Sequence, residues 1–137
     1  MTRRWLTTAF MLCVSTHVVA QVSEVERDLK AAPGRDERVG TFTSIRPDCT
    51  SGPLPAIRLA NPPAHGTVTV KRGTFKATNF KDCLATEVPA FVAFYRAAQD
   101  FTGADAFDLE ISFAEGRKQV QHYRVSVTSN ASGGLGI

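Results

Sequence analysis

Phe101-Thr-Gly-Ala-Asp-Ala-Phe-Asp-Leu-Glu-Ile-Ser-Phe113 decides the fold class of this chain. After Phe101-Thr102-Gly103 the residues alternate without a break. Phe107, Leu109, Ile111 and Phe113 fall on one side, and Asp108, Glu110 and Ser112 on the other. A strand repeats its side-chain direction every two residues, so this is a strand with one buried and one wet face. Such strands belong to antiparallel sheets packed on one side only.

The pattern extends in both directions from this strand. Glu115-Gly116-Arg117 is a hairpin turn, and Lys118 to Thr128 returns with Tyr123, Val125 and Val127 inward. Val120 and Tyr123 are out of phase, which predicts a bulge near Gln121 or His122. Upstream, strands are expected over Val39–Ile45, Leu54–Ala60, Thr67–Lys71, Thr74–Phe80 and Phe91–Arg96. Turn residues separate them, including Pro47 to Pro53, Asn61 to Gly66, Arg72-Gly73, and a loop from Lys81 to Pro89. Seven short strands and no long helical repeat predict an all-β, two-sheet antiparallel sandwich; a closed barrel is the competing architecture.

The first twenty residues read as a secretory signal peptide. Arg3 and Arg4 form a positive start, Trp5 to Val19 is largely apolar, and Val18-Val19-Ala20 suits cleavage before Gln21. The stretch is short for a membrane span, so no membrane insertion is expected after cleavage. Without Arg3 and Arg4 the formal charge falls from +3 to +1. A near-neutral exported chain gives no footing for a nucleic-acid partner. Export also decides the cysteines. Cys49 and Cys83 remain, and an oxidising compartment predicts a disulfide between them. Residues 21–38 are polar, with Val22, Val25 and Leu29 at three- and four-residue spacing. This is read as a flexible N-terminal lead with a turn or two of helix. Residues 39–128 form the domain, and 129–137 a Ser/Gly-rich disordered tail containing the sequon Asn130-Ala131-Ser132.

Asn61-Pro62-Pro63-Ala64-His65-Gly66-Thr67-Val68, Phe94-Tyr95, Phe101 to Phe107, and Tyr123 to Thr128 together resemble the bacterial Ig-like and cadherin-like modules of exported proteins. Those modules carry a Pro-x-x-Gly-Thr-Val segment and a Phe-x-Gly-x-Asp-x-Phe strand. Ala97 and Leu109 depart from the pattern, where proline and an aromatic residue are usual. The resemblance implies an Ig-like sandwich in the periplasm or outside the cell. Physical reasoning gives its turn motif a structural role. Gly103 is expected at positive φ, Asp105 to accept backbone N–H groups, and Phe101 and Phe107 to anchor the corner.

Chemistry-bearing groups are sparse. Asp100, Asp105, Asp108 and Glu110 read as a solvated face and turn caps. Calcium between tandem modules is the competing use, but no Asp-x-Asp-x-Asp-Gly loop is present. His65 and His122 are too few for a zinc or copper site, and no Gly-x-Ser-x-Gly elbow occurs. No cofactor, metal or catalytic residue is therefore assigned. The expected function is a non-catalytic binding or adhesion module of the bacterial cell envelope with a protein or glycan partner. Its candidate binding loops lie around His65, Arg72 and Arg117. The alternatives are an accessory subunit docking through the N-terminal lead and, from another class, a small hydrolase or metal enzyme uniting both histidines with a carboxylate.

Overall fold

A computed structural model describes residues 13–77, 83 and 86–129 of the chain. The expected strand end at Phe80, residues 1–12 of the signal segment and the tail from Asn130 lie outside the described residues. Seven strands are present: β1 (Val22–Ala31), β2 (Asp36–Thr43), β3 (Ala56–Asn61), β4 (Gly66–Ala77), β5 (Thr86–Ala97), β6 (Gly103–Ser112) and β7 (Lys118–Val127). They form two sheets, β1-β7-β6-β3 and β2-β5-β4. All pairings are antiparallel except β1 with β7. The fold is the expected Ig-like sandwich, and the sheets do not close into a barrel.

The core follows the alternation of β6. Phe107, Leu109 and Ile111 are buried together with Tyr123, Val125 and Val127 of β7, and they face Ala93, Tyr95 and Ala97 of β5. Tyr95, Phe107 and Tyr123 stack in sequence across the two sheets, with ring centroids 5.6 and 4.7 Å apart. Such pairs add about 0.5–1.5 kcal/mol each beyond the area they bury. Val88 and Ala90 are buried too, one residue out of phase with Ala93 and Tyr95. The buried face of β5 thus changes between Ala90 and Ala93. Cys49 and Cys83 are joined, with Cα atoms 5.3 Å apart.

Three expectations need correction. The segment read as a flexible lead, 21–38, is strand β1 and the start of β2. β1 pairs in register with β7 from Val22↔Lys118 to Ala31↔Val127, and Ala31 is fully buried. Val25 and Leu29 sit four apart, a spacing that suits a helix and equally one face of a strand. The neighbouring strand resolves that ambiguity, because β7 would otherwise present a bare edge. Secondly, Arg72-Gly73 is not a turn. β4 runs through it and pairs with β5 without a break from Gly66↔Ala97 to Ala77↔Thr86. Thirdly, β7 carries no bulge. Its pairing with β6 is continuous, and Gln121 takes the inward position that the alternation assigns to it. Its amide is satisfied there: Tyr123 Oη donates to it, and it donates to Gln119 at 2.7 Å. A buried polar side chain with its hydrogen bonds made is tolerated in a core. The bulges lie instead at Val39 in β2 and Ala60 in β3.

Candidate functional site

Three surfaces gather the polar groups. The first is the pole where β6 begins. Asp105 is only 8% exposed and its side chain points inward, in phase with Phe107. It accepts hydrogen bonds from the backbone N–H of Ala64 (3.0 Å), His65 (3.1 Å) and Ala106 (2.9 Å), and from Tyr95 Oη (2.8 Å). Burial pushes its carboxyl up, but the Tyr95 bond and the three amide bonds together outweigh this and hold it below the ordinary aspartate value. Burial, reinforced by the same contact, drives the Tyr95 phenol well above its usual value. Asp105 therefore ties the β3–β4 loop to a tyrosine of the opposite sheet, rather than capping only its own turn.

The glycines of the resemblance motifs serve this corner. Gly103 has φ of +136°, a region that residues with a Cβ avoid. A Cβ on Gly66 would stand 2.6 Å from the Arg96 carbonyl oxygen and 2.7 Å from the Tyr95 ring. Glycine there lets β4 pass close enough for the tyrosine to reach Asp105. Phe107 is buried as expected. Phe101 is half-buried, and its ring stacks on His65 at 4.1 Å. An open cleft of about 730 Å³ beside it is lined by Gly34, His65, Thr67, Arg96 and Gln99 among others. Its one charged side chain, Arg96, is held by Asp36 at 2.8 Å.

The second surface is the outer face of the four-stranded sheet. Register places Asn61, Asp108, His122 and Glu26 side by side, one from each strand. Asn61 Nδ2 donates to Asp108, and His122 Nδ1 lies 2.8 Å from the same carboxylate. Glu110 beside them takes Arg58 at 2.9 Å and Lys118 at 3.4 Å, and Asp28 takes Arg124 at 3.0 Å. These carboxylates face paired cations rather than a common point, and no group of three metal-ligating side chains converges among the described residues. His122 hydrogen-bonds to no hydroxyl or thiol among the described residues. The two histidines occupy different surfaces, His65 stacked at the pole and His122 on the sheet. The arrangement that would have favoured a hydrolase, both histidines joined to one carboxylate, is not formed.

Hydrogen bonding to Asp108 holds the His122 imidazolium above its ordinary pKa. Partial burial opposes this, and Glu26 and Glu24 add to it. A raised folded value means that the stabilisation is full below the unfolded pKa, near 6.5. It is lost as pH rises through the folded value. The urea midpoint of the wild type should therefore fall relative to His122→Gln as pH is raised across that window. A constant difference between the two would remove the Asp108–His122 pair as a source of stability.

The third surface is the outer edge of β4, which pairs with no further strand among the described residues and has Arg72 in its middle. Arg117 lies in the β6–β7 turn, at the far end of the sandwich from His65. It is bound to Glu115 at 2.9 Å and covers the Phe113 ring at 4.0 Å. His65, Arg72 and Arg117, named together as binding loops, thus belong to three separate places. Sequence reasoning missed Tyr95 as the partner of Asp105 and Asn61 and His122 as partners of Asp108. Each of these contacts joins residues at least ten positions apart, which local pattern does not report.

No helix among the described residues is long and apolar enough to cross a membrane. No family model matches the chain, and no curated protein matches it. Among solved structures, it is similar to a Photobacterium 2,6-sialyltransferase, seen with CMP and lactose. The two are 12% identical with a TM-score of 0.28, over 78% of this chain and 18% of that one. The chain spans about a fifth of that enzyme's length, and a likeness this low supports no functional argument.

Proposed function

We propose that the chain is a non-catalytic binding or adhesion module of the bacterial cell envelope, cadherin-like in its corner motif and working in the periplasm or outside the cell. Residues 1–20 would be the signal removed on export. The observation that carries this reading is the joined Cys49–Cys83 pair in a small sandwich. Disulfides of this kind persist in oxidising compartments. The internal use of Asp105 and the paired carboxylates of the outer sheet face also support it. They leave loops and edges, rather than a catalytic centre, to meet a partner. Docking through a free N-terminal lead has less to recommend it, since Val22–Ala31 is committed to the sheet.

The test is to express the whole chain in a bacterial host and fractionate the cells. The chain should appear in the periplasm or medium, begin at Gln21 by mass, and resist alkylation until reduced. Immobilised, it should retain a protein or glycan from an envelope extract. A cytoplasmic chain with two freely alkylated thiols would overturn the location, and an empty eluate would overturn the binding role.

A further inference from the structure

The four outermost strands of the two sheets differ in how well their edges are protected. β3 has six residues and a bulge at Ala60, and β2 is bulged at Val39. Short and bulged edges discourage pairing with another chain. β1 runs for ten residues and is unbroken, but it is acidic on its outward face, with Glu24, Glu26 and Asp28. β4 differs from all three. It has twelve residues without a bulge or a proline, and among the described residues no strand pairs with its outer side. It carries Lys71, Arg72 and Lys76 and no acidic residue. These three form no ion pair among the described residues, as is also true of Arg27, Lys30, Arg35, Arg38 and Arg46; what sets β4 apart is that its cations stand on one strand with no acidic residue. Lys71 lies over the Phe94 ring at 5.3 Å.

Gly73 supplies an independent observation. Glycine inside a strand weakens it by about 0.5–1 kcal/mol and marks either a bulge or a close approach by another backbone. Gly73 has no bulge, and among the described residues nothing lies within 4 Å of where its Cβ would stand. No described neighbour therefore requires glycine there. Without a Cβ, Gly73 sets no side chain in the way of a strand approaching the edge.

We infer that the β4 edge, Gly66–Ala77, binds an acidic extended segment of a partner protein by strand addition. The inference rests on the binding-module reading and names its site. Backbone N–H and C=O groups along the edge would supply the ladder, and alternate side chains the specificity. The charge selects the occupant. Antiparallel pairing of β4 with a second copy of itself would bring Lys71 and Arg72 against like charge, which is destabilising. An acidic strand would place carboxylates there instead.

The probe is a fluorescent, end-blocked twelve-residue peptide of alternating Val and Glu, titrated by anisotropy against the whole mature chain at physiological salt. Replacing its Glu by Lys should weaken binding at least about tenfold. N-methylation of one alternate set of its amides should abolish binding, while methylation of the other set leaves it intact, because a strand presents only one set to its neighbour. The variant Lys71→Gln/Arg72→Gln/Lys76→Gln should lose binding with a melting temperature within a few degrees of wild type, since all three side chains are exposed and glutamine sets no like charge against Glu87, which lies opposite Lys76. Equal binding of both N-methylated peptides, or of dextran sulfate at the peptide's affinity, would show a merely electrostatic surface and overturn the inference. Dimerisation of the wild type through β4 would do the same. If the triple variant still retains an envelope partner, the binding-module reading stands and the β4 assignment falls.

Discussion

Asp105→Ala lowers the stability of the domain by about 3–5 kcal/mol, the range for removing one member of a buried charged network. The size follows from what is stranded. Tyr95 Oη is fully buried and has Asp105 as its acceptor, and the Ala64 and His65 amides lose theirs at the same stroke. A buried donor left without a partner costs about 1–3 kcal/mol. Such a loss corresponds to roughly 15–30 °C in melting temperature for a domain of this size. Asp105→Asn keeps the shape but turns one acceptor oxygen into a donor facing other donors, so it should fall between alanine and wild type. Tyr95→Phe and Asp105→Ala should be strongly non-additive, with a coupling of about 1–3 kcal/mol, because each removes the same bond. The carboxyl is held below its ordinary value. Its contribution is therefore complete above the unfolded aspartate pKa, near 3.9. It is lost as pH falls through the depressed folded value. Acid titration of the denaturant midpoint should show this loss in the wild type and not in Asp105→Asn. An alanine variant within about 1 kcal/mol of wild type would contradict the role given to this corner.

The same corner shows how far the sequence could be read. Strict alternation from Phe107 to Phe113 reports a physical constraint, one dry face and one wet face, and that constraint fixes fold class. It also puts Asp105 on the dry face, in phase with Phe107. A charged residue there signals a buried acceptor, and donors must then exist elsewhere in the chain. Their identity was hidden because Ala64, His65 and Tyr95 come from a loop and a strand of the opposite sheet, brought close by packing. The errors have equally local causes. Gly73 has the composition of a turn, but a twelve-residue partner strand carries β4 straight through it. Gln121 broke the apolar rhythm of β7, and a hydrogen bond from Tyr123 makes its burial acceptable without a bulge. Val25 and Leu29 fit a helix and a strand alike, and only the long-range parallel pairing with β7 decides between them. The strand count of seven agreed because one omitted strand, β1, offset one strand divided in two, β4. The candidate site was less legible still. Edge position is a property of topology, so nothing local to Lys71, Arg72 and Lys76 marks them as lying on an unpaired edge.

Removing the disulfide should have an effect of similar size through the opposite state of the chain. Cys49 and Cys83 are 34 residues apart. Closing a loop of that length in the unfolded ensemble is worth about 3–4 kcal/mol by the chain-entropy relation. Most of this acts by restricting the unfolded chain, so it does not depend on the contacts that surround the bond. The native state returns part of it. Cys49 has φ of +68°, the left-handed region, where a residue with a Cβ loses about 1–2 kcal/mol. Its backbone is held there by a tight turn, in which the Cys49 N–H donates to Arg46 and the Arg46 N–H donates to Thr50. Two variants separate these effects. Cys49→Ser/Cys83→Ser should lose the loop-closure contribution and keep the strain, lowering the melting temperature by roughly 15–25 °C. Cys49→Gly/Cys83→Ser should recover part of that loss, since glycine adopts the turn without penalty. Reductant should lower the melting temperature of the wild type toward the serine variant and leave both variants unchanged. If the serine variant melts within a few degrees of the wild type, the unfolded chain is already compact around this loop. The sandwich would then be held by its stacked core and the Asp105 corner without the covalent staple.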